Sequence, residues 1–404
     1  MEQEEQRKQY KRGMRNGLLI GIGAMLTVAL LSLGVIVSFI LQRLGAGATQ
    51  DFKIGDDIVN KANSLIYYID KYYLYEYDEE EMENAIYDAV MGSLGDPYAA
   101  YYTAEEYEEL MESSEGTYYG IGVVVQLDEV TGYVKVVQPY ENAPGAEAGI
   151  KPGDLITAVE GKDICNADLD LVVKDIKGEE GTYVTLTINR NGEVFDLEVE
   201  RRKVEIITVA YEMLEDNVGY IQISQFDAIT VKQVEQAIKD LESQGMKSLI
   251  MDVRNNPGGR LDAVNDILDN FVDKGDLIVY TKDKDGNRED YKASKEPTVD
   301  VPCVVLINEN SASASEIFAG ALQDYELAHI MGTQSFGKGI VQSIVPLKDG
   351  SAFKLTVEDY YTPLGNNIHG IGITPDTVVE LDEDEYTENE IDTQLEAAIE
   401  YLTK

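Results

Sequence analysis

The run NENSASASEIFAGALQDYELAHIMGTQSFGKGIVQS, residues 308–343, sets the architecture of this chain. Before it, Val301 to Ile307 is an apolar, β-branched run of the kind that forms a buried strand. After its serines, Ile317, Phe318, Ala321 and Leu322 recur at helical spacing. Ser311, Ser313 and Ser315 therefore stand at a strand-to-helix junction. The first free N–H groups of a helix point into such a junction and carry partial positive charge, so an alkoxide or tetrahedral oxyanion placed there is stabilised.

A serine hydroxyl needs a neighbour to take its proton before it can attack. The chain has 2 histidines. His329 lies in LAHIMG, which reads as the next strand, and His369 lies in a glycine-rich turn. Neither has an adjacent orienting carboxylate, although distant residues can meet in a fold. Lys338 is the other candidate, set between Gly337 and Gly339 beside Phe336, a small and apolar neighbourhood that could desolvate an amine. A lysine working as a base near neutral pH needs its charged form disfavoured by about 3–4 kcal/mol, which burial can supply. Blander readings stand beside these: Ser313-Ala-Ser-Glu316 fits a capping box, and a lysine between glycines is commonly a solvated loop charge.

SASASEIFAGALQD followed by FGKGIVQ resembles the active-site signature of the carboxyl-terminal processing peptidases, S41 serine peptidases that carry a PDZ domain and use a Ser-Lys dyad. The resemblance implies Ser313 as nucleophile and, 25 positions later, Lys338 as base. It also implies Gln342 as the residue that orients Lys338, and Asp324 as a supporting residue.

Length and composition bound the rest of the chain. At 404 residues and 44% hydrophobic content, the chain can hold two or more domains. Its net charge of −42 argues against nucleic acid or anionic lipid as partner of the main body. Gly17 to Leu41 is a run of 25 residues without a charge, long enough as a helix to cross a bilayer. Lys8, Lys11, Arg12 and Arg15 precede it and only Arg43 follows closely, which places residues 1–16 in the cytoplasm and the catalytic part outside. Ala46-Gly47-Ala48 has the form of a signal cleavage site, but the apolar run is longer than a usual signal core, which favours an uncleaved anchor over 17–41. Cys165 and Cys303 fall in different predicted domains and read as free, structural thiols.

Residues 51–115 show helical periodicity: Ile58, Ala62, Leu65, Ile69 and Tyr72 form one seam and Met82, Ala85, Ile86, Ala89 and Val90 another. Thr103-Ala-Glu-Glu106 is a capping box that opens a third helix. So small a unit needs a partner surface or a second copy of itself. LGDPYAAYYTAEE resembles the family's N-terminal region, whose paired helices imply a homodimer. Residues 116–203 alternate short strands with two helices. Tyr119-Gly-Ile-Gly122, followed by NAPGAEAGIKPGDLITAVEGKDI, resembles a PDZ domain. The resemblance implies that backbone N–H groups of Tyr119, Gly120, Ile121 and Gly122 hold the terminal carboxylate of a peptide that lies along the next strand. In the related peptidases an arginine in the IRG step couples ligand to active site; here the residues are Ile176-Lys177-Gly178, and lysine cannot form the planar bidentate contact.

From residue 204 to 404, repeated strand-loop-helix units predict an α/β core of the crotonase and Clp-protease type, so the whole chain is expected to be an α+β multidomain protein. Arg254-Asn-Asn-Pro-Gly-Gly259 is a glycine turn between a strand and a helix. By resemblance, the N–H groups of Gly258 and Ala314 form the oxyanion hole. Tyr361-Thr-Pro-Leu-Gly and GIGITPD at 370–376 resemble the family's closing segment. The sequence therefore predicts a membrane-anchored, PDZ-regulated serine endopeptidase that needs no metal or organic cofactor and acts on proteins with free apolar C-termini. An inactive PDZ receptor and a crotonase-type acyl-CoA enzyme are the alternatives.

Overall fold

A computed structural model describes residues 55–404 of the chain, which divides into a unit ending at Asp78 and a unit spanning Glu79–Lys404. The run Gly17 to Leu41 lies outside the described residues. Among the described residues no helix is long and apolar enough to cross a membrane.

In the first unit, α1 (Asp56–Tyr72) has Asp56 and Asp57 in its first turn and Lys71 in its last, matching the helix dipole. The expected apolar seam forms on it, with Ile58, Leu65 and Tyr72 all exposed.

The second unit opens with α2 (Glu79–Gly92), then β1 (Ala100–Tyr102) and α3 (Ala104–Glu115). The capping box is present: Thr103 N–H donates to Glu106 Oε2 at 2.8 Å and Glu106 N–H to Thr103 Oγ1 at 3.3 Å. Strand β1 departs from the all-helical reading of this region. Its three residues carry no periodicity, and an edge partner far along the chain makes them a strand.

After β2 (Thr117–Gly120) the region that resembles a PDZ domain contains β3 (Val123–Leu127), β4 (Val134–Pro139), α4 (Pro144–Glu147), β5 (Leu155–Val159), β6 (Lys162–Asp163), α5 (Leu169–Ile176), β7 (Tyr183–Arg190) and β8 (Glu193–Glu200). Strand order is β3-β4-β5-β7-β8 with β6 on β5, around a core of Ile121, Val136, Ile156, Val172, Val184, Leu186 and Ile188. Strand β9 (Arg202–Glu205) pairs with β2.

The remaining chain builds β10 (Val209–Met213), β11 (Val218–Ile223), α6 (Ala228–Ser243), β12 (Ser248–Asp252), α7 (Leu261–Leu268), β13 (Leu277–Asp283), β14 (Arg288–Lys292), β15 (Cys303–Ile307), α8 (Ala314–Asp324), β16 (His329–Gly332), β17 (Ile340–Pro346), β18 (Ala352–Tyr361), β19 (Thr377–Val378), α9 (Glu383–Asn389) and α10 (Thr393–Thr403). Strands β11, β12, β15, β16 and β19 run parallel, with β10 antiparallel at the edge. Both faces of this sheet are covered, which is why β12 and β15 are apolar almost throughout. Leu249, Met251, Val305 and Ile307 pack with residues of α6, α7 and α8, while Ile250, Val304 and Leu306 pack with Leu395 and Ala398 of α10. A second sheet, β1-β18-β13-β14 with β17 on β18, stands beside the first. The site forms where the end of β15 meets α8 and faces β17 and β18.

Candidate active site

The three serines of the junction have different environments. Ser311 and Ser315 are fully buried: Ser311 Oγ donates to the Val253 carbonyl at 2.8 Å and Ser315 Oγ to the Asn256 carbonyl at 2.9 Å. They bolt the junction to the neighbouring strand end and its turn. Ser313 is the N-cap of α8, at φ 54° and ψ −112°, and it alone of the three lines a cleft of about 340 Å³. Backbone strain of this kind persists only where the surroundings over-determine it, and it is common at functional positions. The helix N-cap position and a place in the cleft lining thus coincide in one residue.

Across the cleft stands the Asn255–Gly259 turn. Gly258 has φ 105°, and a Cβ there would lie 2.8 Å from Ser313 Cβ and 2.9 Å from Ala314 N, so glycine alone lets the two backbones approach. Its N–H donates to Asn256 Oδ1 at 2.8 Å, and Asn256 is itself fully buried. Of the two expected oxyanion donors, the Gly258 N–H is therefore engaged by Asn256, while Ala314 opens α8 and lines the cleft together with Gly259.

Glu316 joins the two halves of the site. It is fully buried, and its carboxylate accepts from Ser313 N–H (2.9 Å), Lys338 N–H (2.8 Å), Gly337 N–H (2.7 Å) and Ser335 Oγ (2.6 Å). The capping-box pattern signalled only the first of these bonds, because the other three come from a loop about twenty residues away. Tyr360, also buried, donates its hydroxyl to the Ser313 carbonyl at 3.0 Å.

Lys338 is half-buried, and its amine holds its proton less tightly than an ordinary lysine. Burial is the main cause and the Lys354 charge adds to it, while Asp96 and Glu316 pull the other way. The expected cover, Phe336, is 56% exposed; a ring the sequence reading did not consider, Tyr98, lies 4.6 Å from the Lys338 amine. The glycines flanking Lys338 serve close backbone packing, since a Cβ on Gly339 would lie 2.5 Å from His369 N. His369 therefore adjoins the lysine loop through its backbone, with an exposed side chain. His329 stacks on Tyr401 at 4.3 Å and bonds Thr377 Oγ1 at 2.8 Å, with no place in the cleft lining.

Gln342 lines the cleft with Ser313, and its Nε2 is buried without a hydrogen-bond partner among the described residues. An orphaned buried donor at such a place is a mark of function. Asp324 is not brought to this cleft. It ends α8, about 16 Å along the helix from Ser313, and accepts from Leu364 N–H at 2.7 Å.

Residues 217–379 match the model of peptidase family S41, and residues 120–200 match a PDZ domain model. A "Carboxy-terminal-processing protease" of Bartonella bacilliformis is 42% identical over 311 residues, covering 75% of this chain and 70% of that protein. A Staphylococcus aureus protein named "Probable CtpA-like serine protease" is 36% identical over 363 residues, covering 89% of this chain and 71% of its own. The chain belongs to peptidase family S41. A solved S41 protease structure from Bacteroides fragilis aligns with TM-score 0.51 at 18% identity over 78% of this chain and 90% of the other, and it shares the fold.

This S41 member is a serine-type peptidase of mixed α/β fold whose PDZ domain implies protein or peptide substrates. In that domain Tyr119 and Gly120 end β2, and Ile121 and Gly122 form the link to β3, with Gly122 at φ 69°. The Tyr118 ring lies against Gly120, where a Cβ would sit 2.8 Å from its Cε2, and Lys177 places its amine 5.2 Å from the same ring. Cys165 is exposed and Cys303 buried, and both are free.

Proposed function

We propose that this S41 peptidase hydrolyses peptide bonds with a Ser313–Lys338 dyad. One observation supports this above the rest: a single carboxylate oxygen, Glu316 Oε2, accepts from the backbone N–H of both residues, at 2.9 and 2.8 Å. The serine cap and the lysine loop are thereby clasped to one atom.

Neutral Lys338 takes the proton of Ser313 Oγ as it attacks the scissile carbonyl. The oxyanion forms against the Ala314 N–H and the Gly258–Gly259 turn, where the Gly258 N–H must exchange its Asn256 partner. Protonated Lys338 then gives its proton to the departing amine, leaving an acyl-Ser313 that water hydrolyses. Gln342 orients the lysine amine.

The same reading makes residues 1–16 cytoplasmic, 17–41 a single membrane anchor, 51–115 a dimerising helical region, 116–203 the PDZ domain and 204–404 the peptidase core, held outside the cytoplasm. The exposed stripe Ile58, Leu65 and Tyr72 fits a second copy of the chain. Substrate tails with free apolar C-termini enter through the Tyr119–Gly122 loop.

Ser313→Ala and Lys338→Ala are each expected to abolish proteolysis with the fold retained, and the double variant to be little worse than either, because members of a dyad act as a unit. Peptide hydrolysis and circular dichroism on the three variants test this. Full activity in a folded Lys338→Ala overturns the mechanism.

A further inference from the structure

The segment Asp96–Tyr102 stands more than two hundred residues before Lys338, yet it is laid directly on the lysine's sheet. Strand β1 pairs antiparallel with β18, placing Ala100 opposite Lys354 and Tyr102 opposite Ala352. Its start is a tight turn in which Tyr98 N–H donates to Asp96 Oδ1 at 2.9 Å. Its middle is braced by Tyr87 of α2, whose ring centroid lies 4.9 Å from that of Tyr101. Two tyrosines of this segment each meet a lysine of the site. Tyr98 lies 4.6 Å from the Lys338 amine, and Tyr102 lies 5.3 Å from that of Lys354, which lines the same cleft as Ser313.

We infer that Asp96–Tyr102 belongs to the catalytic machinery, and that Tyr98 is a positioning residue whose ring holds the Lys338 amine and keeps water from it. This rests on Lys338 being the base. The ring has two opposed effects. Excluding water disfavours the ammonium form, while the negative ring face attracts it. The amine is half-buried with the Tyr98 ring 4.6 Å from it, and of the two effects the ring's exclusion of water is taken as the larger. The other charges that act on Lys338 are Asp96 from the turn and Glu316 from α8, which favour the ammonium, and Lys354 from β18, which opposes it.

The test follows the rising limb of kcat/KM against pH in the full-length enzyme, together with the rate at which a fluorophosphonate labels Ser313. Tyr98→Phe keeps the ring and retains the wild-type limb. Tyr98→Ala admits water, so the limb moves to higher pH and labelling at neutral pH falls about tenfold or more. Should the alanine variant not fold, pentafluorophenylalanine in place of Tyr98 keeps the size but makes the ring face electron-poor, and the limb moves to lower pH. A merely structural tyrosine would change the melting temperature and leave the limb in place. A limb that stays put, or moves opposite to these directions, in a folded Tyr98→Ala or pentafluorophenylalanine variant overturns the inference, as does a limb that moves in Tyr98→Phe. Lys338→Ala separates the two failures: if it is active the base assignment falls, and if it is dead while the Tyr98 limb is unmoved, only the role of Tyr98 falls.

Discussion

At Lys338 the sign of the pH dependence is set by which form does the work. In the proposed dyad the neutral amine is the base, and burial lowers its proton affinity, so kcat/KM is expected to rise with pH to a midpoint below the ordinary lysine value of about 10.4. His329→Gln and His369→Gln should leave that limb in place, whereas Lys338→Arg should be inactive because guanidinium keeps its proton. A limb lost in a folded histidine variant would count against the lysine. Asp227, buried in the cleft wall at 3% exposure, has its carboxyl raised to about 6 by burial. The folded state therefore binds this proton more tightly than the unfolded chain does, and stability falls as pH rises from the usual carboxylate range through about 6. Asp227→Asn keeps the oxygen that accepts from Gln225 Nε2 at 3.0 Å. It should match wild type in strong acid and be more stable above that window by about 1–3 kcal/mol, which thermal unfolding at the two pH values measures. Equal stability at alkaline pH would refute the assignment.

At the scale of elements, the site is a meeting of a helix start, a strand-end turn and a sheet edge. The turn contributes through what Gly258 lacks. Gly258→Ala puts a methyl group 2.8 Å from Ser313 Cβ on a residue at φ 105°. The expected outcome is a loss of about a hundredfold or more in kcat/KM together with about 1–3 kcal/mol of stability. Wild-type kinetics in that variant would show that the two backbones have room to separate. The capping box at Ser313 and Glu316 was legible as a spacing pattern, but Glu316 as a clasp was not. Its partners Ser335, Gly337 and Lys338 come from a loop that reaches it only in the folded chain. Phe336 shows the converse, since adjacency in sequence suggested a cover that the fold turns outward.

At the scale of the whole molecule, the proposed orientation rests on charge. Five cations before Gly17 against one soon after Leu41 would orient the chain with its bulk outside. A protease added to intact cells should therefore cleave residues beyond Arg43 and spare the first sixteen. Protection of the PDZ and peptidase domains in that experiment would place them in the cytoplasm instead.

What the sequence determined by itself was whatever depends on near neighbours or on a fixed spacing. Val218–Ile223 as a strand, the third helix opening at Thr103, the PDZ order of strands and helices, and Ser313 at a helix start are all set by periodicity and local capping within a few residues. Tertiary structure alone decided which of those pieces meet. It set Tyr98 over Lys338, Glu316 between Ser313 and the lysine loop, and Asn256 on the Gly258 N–H, and it left Asp324 at the far end of its helix. The physical reason is that such contacts are made by side chains tens to hundreds of residues apart. Their meeting depends on strand order and register, such as β1 on β18, which no local spacing encodes.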